Sequence, residues 1–368
     1  MAETFRYVDS GYQDPLVSNT QMPIIGREVA EGGGPVMTTG VVGRTHLNVG
    51  WFDDVDATLD LERCAELGFL VIRRPVYGGG TAFYQEGTVA TWAWLQSKDE
   101  HPDLDAELAR FQPLVLDTLR QLGLEGVNFE GSSDLRIEGR KLGALTAQDV
   151  VTCNSVGGFI NIKPPDLDLY LEVVRVPEDK FKDKLVKDMR EYVVTAEEIR
   201  GRALHYEEFR DALLGTCERA GMKLDPRALS DEERAGIAKI ASKIGSDDFV
   251  RRISSERFRA SAPPGTRVGF GNEKGRKLCR AGVAVTGDGT IAAAIMAGDM
   301  HVGPPDVLDR TAAALVGGDA NDEGDLRGRI ASVFEGDDVH QPDTLMGVTT
   351  DDLLKAVQKA VANAVPIP

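Results

Sequence analysis

The stretch from Gly68 to Leu95 constrains the fold more than any other. A short apolar run, Gly68-Phe69-Leu70-Val71-Ile72, enters an arginine pair, Arg73 and Arg74. A triple glycine, Gly78-Gly79-Gly80, follows after Pro75, Val76 and Tyr77. The apolar run reads as a buried strand. Thr81 to Tyr84 and Val89 to Leu95 read as strands returning from the glycines, so the loop is delivered hairpin-fashion to a pocket. Glycines permit positive φ and let N–H groups come close to a bound anion. Two guanidinium groups at the same place suit phosphate or carboxylate. The loop is not a P-loop, because no Lys-Ser or Lys-Thr follows at the required spacing. In a chain with 40 glycines it can equally be a plain turn.

A second segment, Gly139-Arg140-Lys141-Leu142-Gly143-Ala144, sets a lysine among small residues. Such a compact cation could sit beside a reacting phosphate, or be a solvated loop residue. Between the two segments, Asp103 to Leu122 repeats apolar residues at helical spacing and ends before Gly123, predicting a helix that covers a sheet. Asp166 to Val174 alternates like a strand, yet Pro164-Pro165 precede it as at a helix start, and a helix is expected. Residues 195–259 read as helical, opening at a capping box on Thr195. Pro263-Pro264-Gly265 marks a linker, and Val283 to Ala297 a hairpin around Gly287-Asp288-Gly289. Two helices are expected near 304–316 and 350–363, with an acidic loop around Asp319 to Gly324. Gly269 to Gly275 mimics a nucleotide fingerprint, but no strand–helix unit surrounds it, so it is discounted.

Composition excludes several classes. A chain of 368 residues with 42% hydrophobic content can bury a substantial core. No apolar run approaches the roughly 18 residues of a membrane span, and the first residues lack a signal peptide's basic and apolar regions. Cys64, Cys153, Cys217 and Cys279 stand far apart with no CxxC pair, so neither a zinc site nor a disulfide framework is expected. These features point to a cytoplasmic protein with free thiols. A net charge of −17 argues against a nucleic-acid partner.

Together the segments resemble the lipoate–protein ligase A family, within the biotin/lipoate ligase superfamily. The resemblance runs through Arg73 to Gln85, then Ser132-Ser133-Asp134-Leu135, then Gly139 to Gln148. Asp166 to Leu169 with Pro177, Lys180 and Lys184 echoes a further block, and Val42 to His46 fits a strand end. It implies an α+β fold: a mixed-sheet catalytic domain flanked by helices over 1–259, and a small α+β accessory domain over 260–368. Departures are marked. The family's histidine after the glycine loop is Tyr84 here, the asparagine beside Asp134 is Ser133, and a histidine pair near Gly157-Gly158 is absent.

The resemblance also implies a reaction. Lipoate, or a related acid such as octanoate, would react with ATP to give an acyl-adenylate, with Mg2+ offsetting charge on the leaving group. A lysine of an acceptor protein would then take the acyl group. Lys141 and Asp134 are the expected catalytic residues. Arg73, Arg74, Tyr77, Gly78, Gly79, Gly80, Thr81, Tyr84, Ser133, Gly143 and Ala144 would bind substrate and adenylate, with no protein metal ligand. Partners would be lipoyl acceptor domains, as in 2-oxoacid dehydrogenase acyltransferase subunits or the glycine cleavage H protein. Lys180, Lys182, Lys184, Lys187 and Arg190 could dock such an acidic domain, or form an ordinary solvated helix. Two alternatives stay open: an octanoyl transferase working through a cysteine such as Cys153, and a non-catalytic binding protein.

Overall fold

A computed structural model describes residues 3–75, 79–101, 103–131, 133–150, 153–175, 190–341 and 347–367. The chain forms two compact units. One comprises Met1–His46, Phe83–Leu171 and Val176–Lys243; the other comprises Leu47–Ala82, Glu172–Arg175 and Ile244–Pro368. This partition differs from a single boundary at 259/260, because segments distant in sequence share the second unit.

The strands, in chain order, are β1 (Thr4–Gln13), β2 (Val36–Val42), β3 (His46–Val49), β4 (Leu70–Arg73), β5 (Ala82–Tyr84), β6 (Val89–Gln96), β7 (Asn128–Glu130) and β8 (Asp134–Ile137). They continue as β9 (Arg140–Val150), β10 (Cys153–Asn161), β11 (Lys223–Pro226), β12 (Arg267–Lys274), β13 (Leu278–Val285), β14 (Ile291–Gly298) and β15 (Val365–Pro366). Eight build one sheet in the order β11-β1-β2-β6-β10-β9-β8-β7, four build another in the order β14-β13-β12-β15, and β4-β3-β5 form a third. In the large sheet β1 runs parallel to β11 and β2, while the remaining pairs are antiparallel. The fold is therefore mixed α+β, as expected.

The first unit buries both faces of its sheet. Successive strand side chains point to opposite faces, so Ala90, Trp92 and Trp94 pack with Leu108, Phe111, Val115 and Leu119 of the helix Leu104–Gln121 and Phe209 and Leu213 of the helix Tyr206–Arg219. Ala93 and Leu95 point the other way, against Val8, Ile25, Val29 and Val36. Each large apolar side chain so buried contributes about 1.5–3 kcal/mol. The helix Leu104–Gln121 starts at Asp103, whose carboxylate accepts from the N–H groups of Asp105 and Ala106. This satisfies donors that the first helical turn leaves open.

The second unit places one face of its antiparallel sheet against helices. Cys279, Ala281, Val283 and Val285 of β13 pack with the helices Val307–Leu315, Glu323–Phe334 and Thr350–Ala362. The glycines of the discounted fingerprint have a packing role here. A Cβ on Gly269 or Gly271 would collide with the backbone of Ala360 or Ala356, so glycine lets the last helix settle on β12.

Several local expectations hold: the helix at 167–173, the strands around the glycine loop and the β13–β14 hairpin. Two need correction. The helical run over 195–259 is interrupted by β11, which is held by parallel pairing to β1. The acidic loop hides a helix start, since Asp322 caps Glu323–Phe334 by accepting from the N–H groups of Gly324 and Asp325.

Candidate active site

The hairpin of β8 and β9 turns through Glu138 and Gly139, both at positive φ. Its register pairs Asp134 with Ala144, Leu135 with Gly143 and Arg136 with Lys141, leaving Leu142 as an extra residue. That irregularity keeps Leu135 and Leu142 in the core, both fully buried. It also brings the polar side chains together. Lys141 Nζ donates to Asp134 Oδ1 at 2.7 Å. Arg136 donates to Asp134 Oδ2 from Nη2 at 3.1 Å and from Nε at 3.3 Å. The Arg136 guanidinium lies 5.0 Å from the Tyr192 ring centroid and donates to its hydroxyl. Asp134 thus carries one cation on each carboxylate oxygen. The Lys141 and Asp134 side chains are about a quarter exposed. A pair this open to water is worth roughly 0–1 kcal/mol, so an incoming carboxylate or phosphate could displace Asp134 from Lys141 cheaply.

Neighbouring expected residues shape this hairpin rather than reach outward. The Ser133 carbonyl accepts from Leu145 N at 2.8 Å. Ala144 is buried opposite Asp134. A Cβ on Gly143 would collide with the Phe159 carbonyl, so glycine there allows β9 and β10 to approach. Gly158, at the place of the missing histidine pair, is similarly closed in by the Ala144 carbonyl and Trp92.

Tyr84 stacks on His46 with ring centroids 5.2 Å apart and planes inclined by 23°. Burial pushes His46 below its ordinary range, and its Nδ1–H donates to the Arg44 carbonyl at 2.9 Å. The imidazole is therefore neutral with its lone pair on Nε2. Sequence reading passed over His46 as a strand end; its stacking partner is 38 residues away, and no local pattern signals it.

Arg73, Arg74, Gly79, Gly80 and Thr81 belong to the second unit, whereas Lys141, Asp134, Ser133, Gly143, Ala144 and Tyr84 belong to the first. The expected ligand role of Arg73 is corrected. Its side chain is fully buried, and all three guanidinium nitrogens donate to the carbonyls of Phe249, Val250, Gly50, Trp51, Asp53 and Ile253. Burial pushes its pKa down to about 10, still charged at neutral pH. Arg74 donates to the Gly80 carbonyl from Nη2, while its Nε is buried without a partner. Thr81 donates to Asp53 at 2.8 Å, and burial raises the Asp53 carboxyl. Tyr77, Gly78 and the lysines at 180, 182, 184 and 187 lie outside the described residues.

All four cysteines are buried. Burial pushes Cys64 up to about 11, and Cys217 and Cys279 up to about 12, the opposite of an activated thiolate. Among the described residues no group of three or more His, Cys, Asp or Glu is placed to hold a metal, and no helix is long and apolar enough to cross a membrane.

Comparison with known proteins gives consistent results. The profile of the lipoyl protein ligase A/B catalytic domain matches residues 32–218. The octanoyltransferase LipM of Geobacillus kaustophilus is 26% identical over 279 residues, covering 67% of this chain and 98% of its own. Lipoate-protein ligase A subunit 1 of Thermoplasma acidophilum is 26% identical over 175 residues, 45% of this chain and 64% of its own. Among solved structures, P. falciparum LipL1 in complex with lipoate superposes with a TM-score of 0.67 at 11% identity, over 97% of this chain and 99% of that one. The bi-partite lipoate protein ligase of T. acidophilum, described with its E2 lipoyl domain, gives 0.58 at 19% identity over 69% and 98%.

Proposed function

Because this chain belongs to the lipoyl protein ligase A/B catalytic-domain family, we propose that it attaches lipoate, or a related acid such as octanoate, to a lysine of a lipoyl acceptor domain, with ATP as co-substrate. The carboxylate would attack the α-phosphorus of ATP, and the bond to pyrophosphate would break, giving an acyl-adenylate. The acceptor's amine would then attack the acyl carbon, forming an amide and releasing AMP.

The observation that carries this reading is the Lys141–Asp134 pair. Lys141 is a cation about a quarter exposed on the β8–β9 hairpin, held by an exchangeable carboxylate. It would leave Asp134 for the substrate carboxylate and α-phosphate, placing positive charge where negative charge develops. Asp134, kept in place by Arg136, would retain Lys141 between turnovers and take up the proton that the attacking amine gives up as the amide forms in the second step. Mg2+, when bound with ATP, would neutralise the leaving pyrophosphate; no protein ligand is assigned to it. The acceptor proposed is a lipoyl domain like the one described with the T. acidophilum ligase.

A second reading is favoured by a specific finding: relatives named octanoyltransferase match over nearly their whole length. Octanoyl transfer between carriers would need no ATP. Against a thioester route stand the buried cysteines and the lack of any cysteine between Cys153 and Cys217.

Pyrophosphate release from Mg-ATP with lipoate or octanoate, with mass spectrometry for the acyl-AMP, tests the two. Acid-dependent release that falls at least 100-fold in Lys141→Ala is expected. ATP-independent transfer of octanoyl from a carrier, with no release of pyrophosphate, would replace the ligase reading with the transferase.

A further inference from the structure

The glycine turn of the second unit lies beside its sequence neighbour Arg74 and beside a histidine from far along the chain. Gly79 is at φ +69°, and a Cβ built there would lie 3.4 Å from His301 Nε2 and 3.6 Å from Arg74 Nη2. A Cβ built on Gly80 would lie 3.3 Å from the Asp299 Cβ and 3.7 Å from Asp53 Oδ2, whose carboxylate is already engaged by Thr81. His301 follows the end of β14, more than 200 residues beyond the turn. Lys277, before the start of β13, and Arg74 both act on His301 electrostatically, and Asp299 opposes them. Asp299 is itself engaged, accepting from Leu278 N at 2.6 Å and lying 3.5 Å from Lys274 Nζ. Beside Gly79 stand the Arg74 guanidinium, whose Nε is buried without a partner, and the His301 imidazole, while Lys277 directly precedes Leu278, whose N–H and carbonyl both pair with Asp299.

We propose that His301 and Lys277, with Arg74 and the Gly79–Gly80 backbone, form a binding site for a polyphosphate, with His301 as the proton-taking member. The inference rests on the ATP-dependent reading for its purpose, since that reaction consumes ATP and releases pyrophosphate. A histidine thus reaches the glycine loop from beyond the end of β14.

The chemistry follows from the surroundings. Partial burial, Lys277 and Arg74 keep free His301 below the ordinary histidine range, and Asp299 only partly offsets them. A bound polyphosphate adds negative charge beside the ring and raises its pKa, so binding takes up a proton. Affinity contributed by His301 is then largest at low pH and is lost as pH rises through the raised, bound-state value.

Calorimetric titration of the full chain with inorganic pyrophosphate and with Mg-ATP, at pH 6 and pH 8, tests this. Wild type should bind both, more tightly at pH 6. His301→Ala should lose about tenfold in affinity at pH 6 and much of the pH dependence. His301→Gln, which keeps a hydrogen-bond donor without titrating, should lose the pH dependence but less of the affinity at pH 8. Lys277→Ala should weaken binding at both pH values. Equal affinities and pH profiles for wild type, His301→Ala and Lys277→Ala would overturn the site, as would a wild type that binds neither probe. Acid-dependent pyrophosphate release with an unchanged KM for ATP in His301→Ala would sink this site and leave the ligase reading standing. Polyphosphate binding through His301 in a protein that transfers octanoyl without ATP would do the reverse.

Discussion

A guanidinium whose nitrogens all donate to backbone carbonyls acts as a brace. Arg73 ties together Gly50, Trp51, Asp53, Phe249, Val250 and Ile253, residues nearly 200 positions apart. Removing it leaves buried carbonyls without donors, each costing about 1–3 kcal/mol. Arg73→Ala should therefore lower unfolding free energy by ~3 kcal/mol or more, measured by urea denaturation. Any variant that stays folded should show little change in KM for the acid. A stable Arg73→Ala protein with a sharply raised KM would return Arg73 to the ligand. Arg73 and Arg74 look alike in sequence; burial of one and the free Nε of the other separate them.

Between elements, β1 is tied to two helices by an ionic cluster. Arg6, almost fully buried, donates to Glu28 at the end of the helix Gln21–Glu28, and to Glu233 in the helix Asp231–Ile244 at 2.7 and 2.8 Å. The two carboxyls differ. For Glu233, burial acts to raise the pKa, but hydrogen bonds from Arg6 and Ser230 N outweigh it and hold the group at about 2. For Glu28, burial and Glu233 together push the carboxyl up, against Arg6. Glu233 then contributes stability above an ordinary carboxyl value of 4.5, lost as pH falls toward 2. Glu28 has the opposite sign: its contribution is present below 4.5 and lost as pH rises through its raised folded value. Hence Glu233→Gln should cost ~3 kcal/mol at pH 7, whereas Glu28→Gln should be neutral or stabilising there. Chemical denaturation at pH 7 decides this, and equal destabilisation by both substitutions would contradict it.

For the whole molecule, the second unit is discontinuous in sequence. Phe52, almost fully buried, packs in the same core as Met296, Leu308 and Leu353, and its carbonyl accepts from Gly298 N. A fragment ending at residue 259 would lose those partners and expose Phe52 and Trp51. Such a fragment should bind a hydrophobic dye more strongly than the intact chain and melt at lower temperature. A fragment 1–259 as stable and dye-free as the full chain would restore the single boundary expected from sequence.

What depends on near neighbours is legible along the chain. The 3.6-residue spacing over 104–121, the apolar strand Val89–Gln96 and the hairpin of β13 and β14 all follow from backbone geometry and short-range patterning. The order of the arginine–glycine and Gly-Arg-Lys blocks was enough to point to the family. The tertiary structure alone decided the fate of individual polar groups. Burial of Arg73, the engagement of Asp53 by Thr81, the stacking of His46 on Tyr84 and the approach of His301 to Gly79 join residues 28 to more than 200 positions apart. A charged side chain's role depends on which carbonyls, rings and charges surround it and how much water remains, and chain folding sets these where linear order does not.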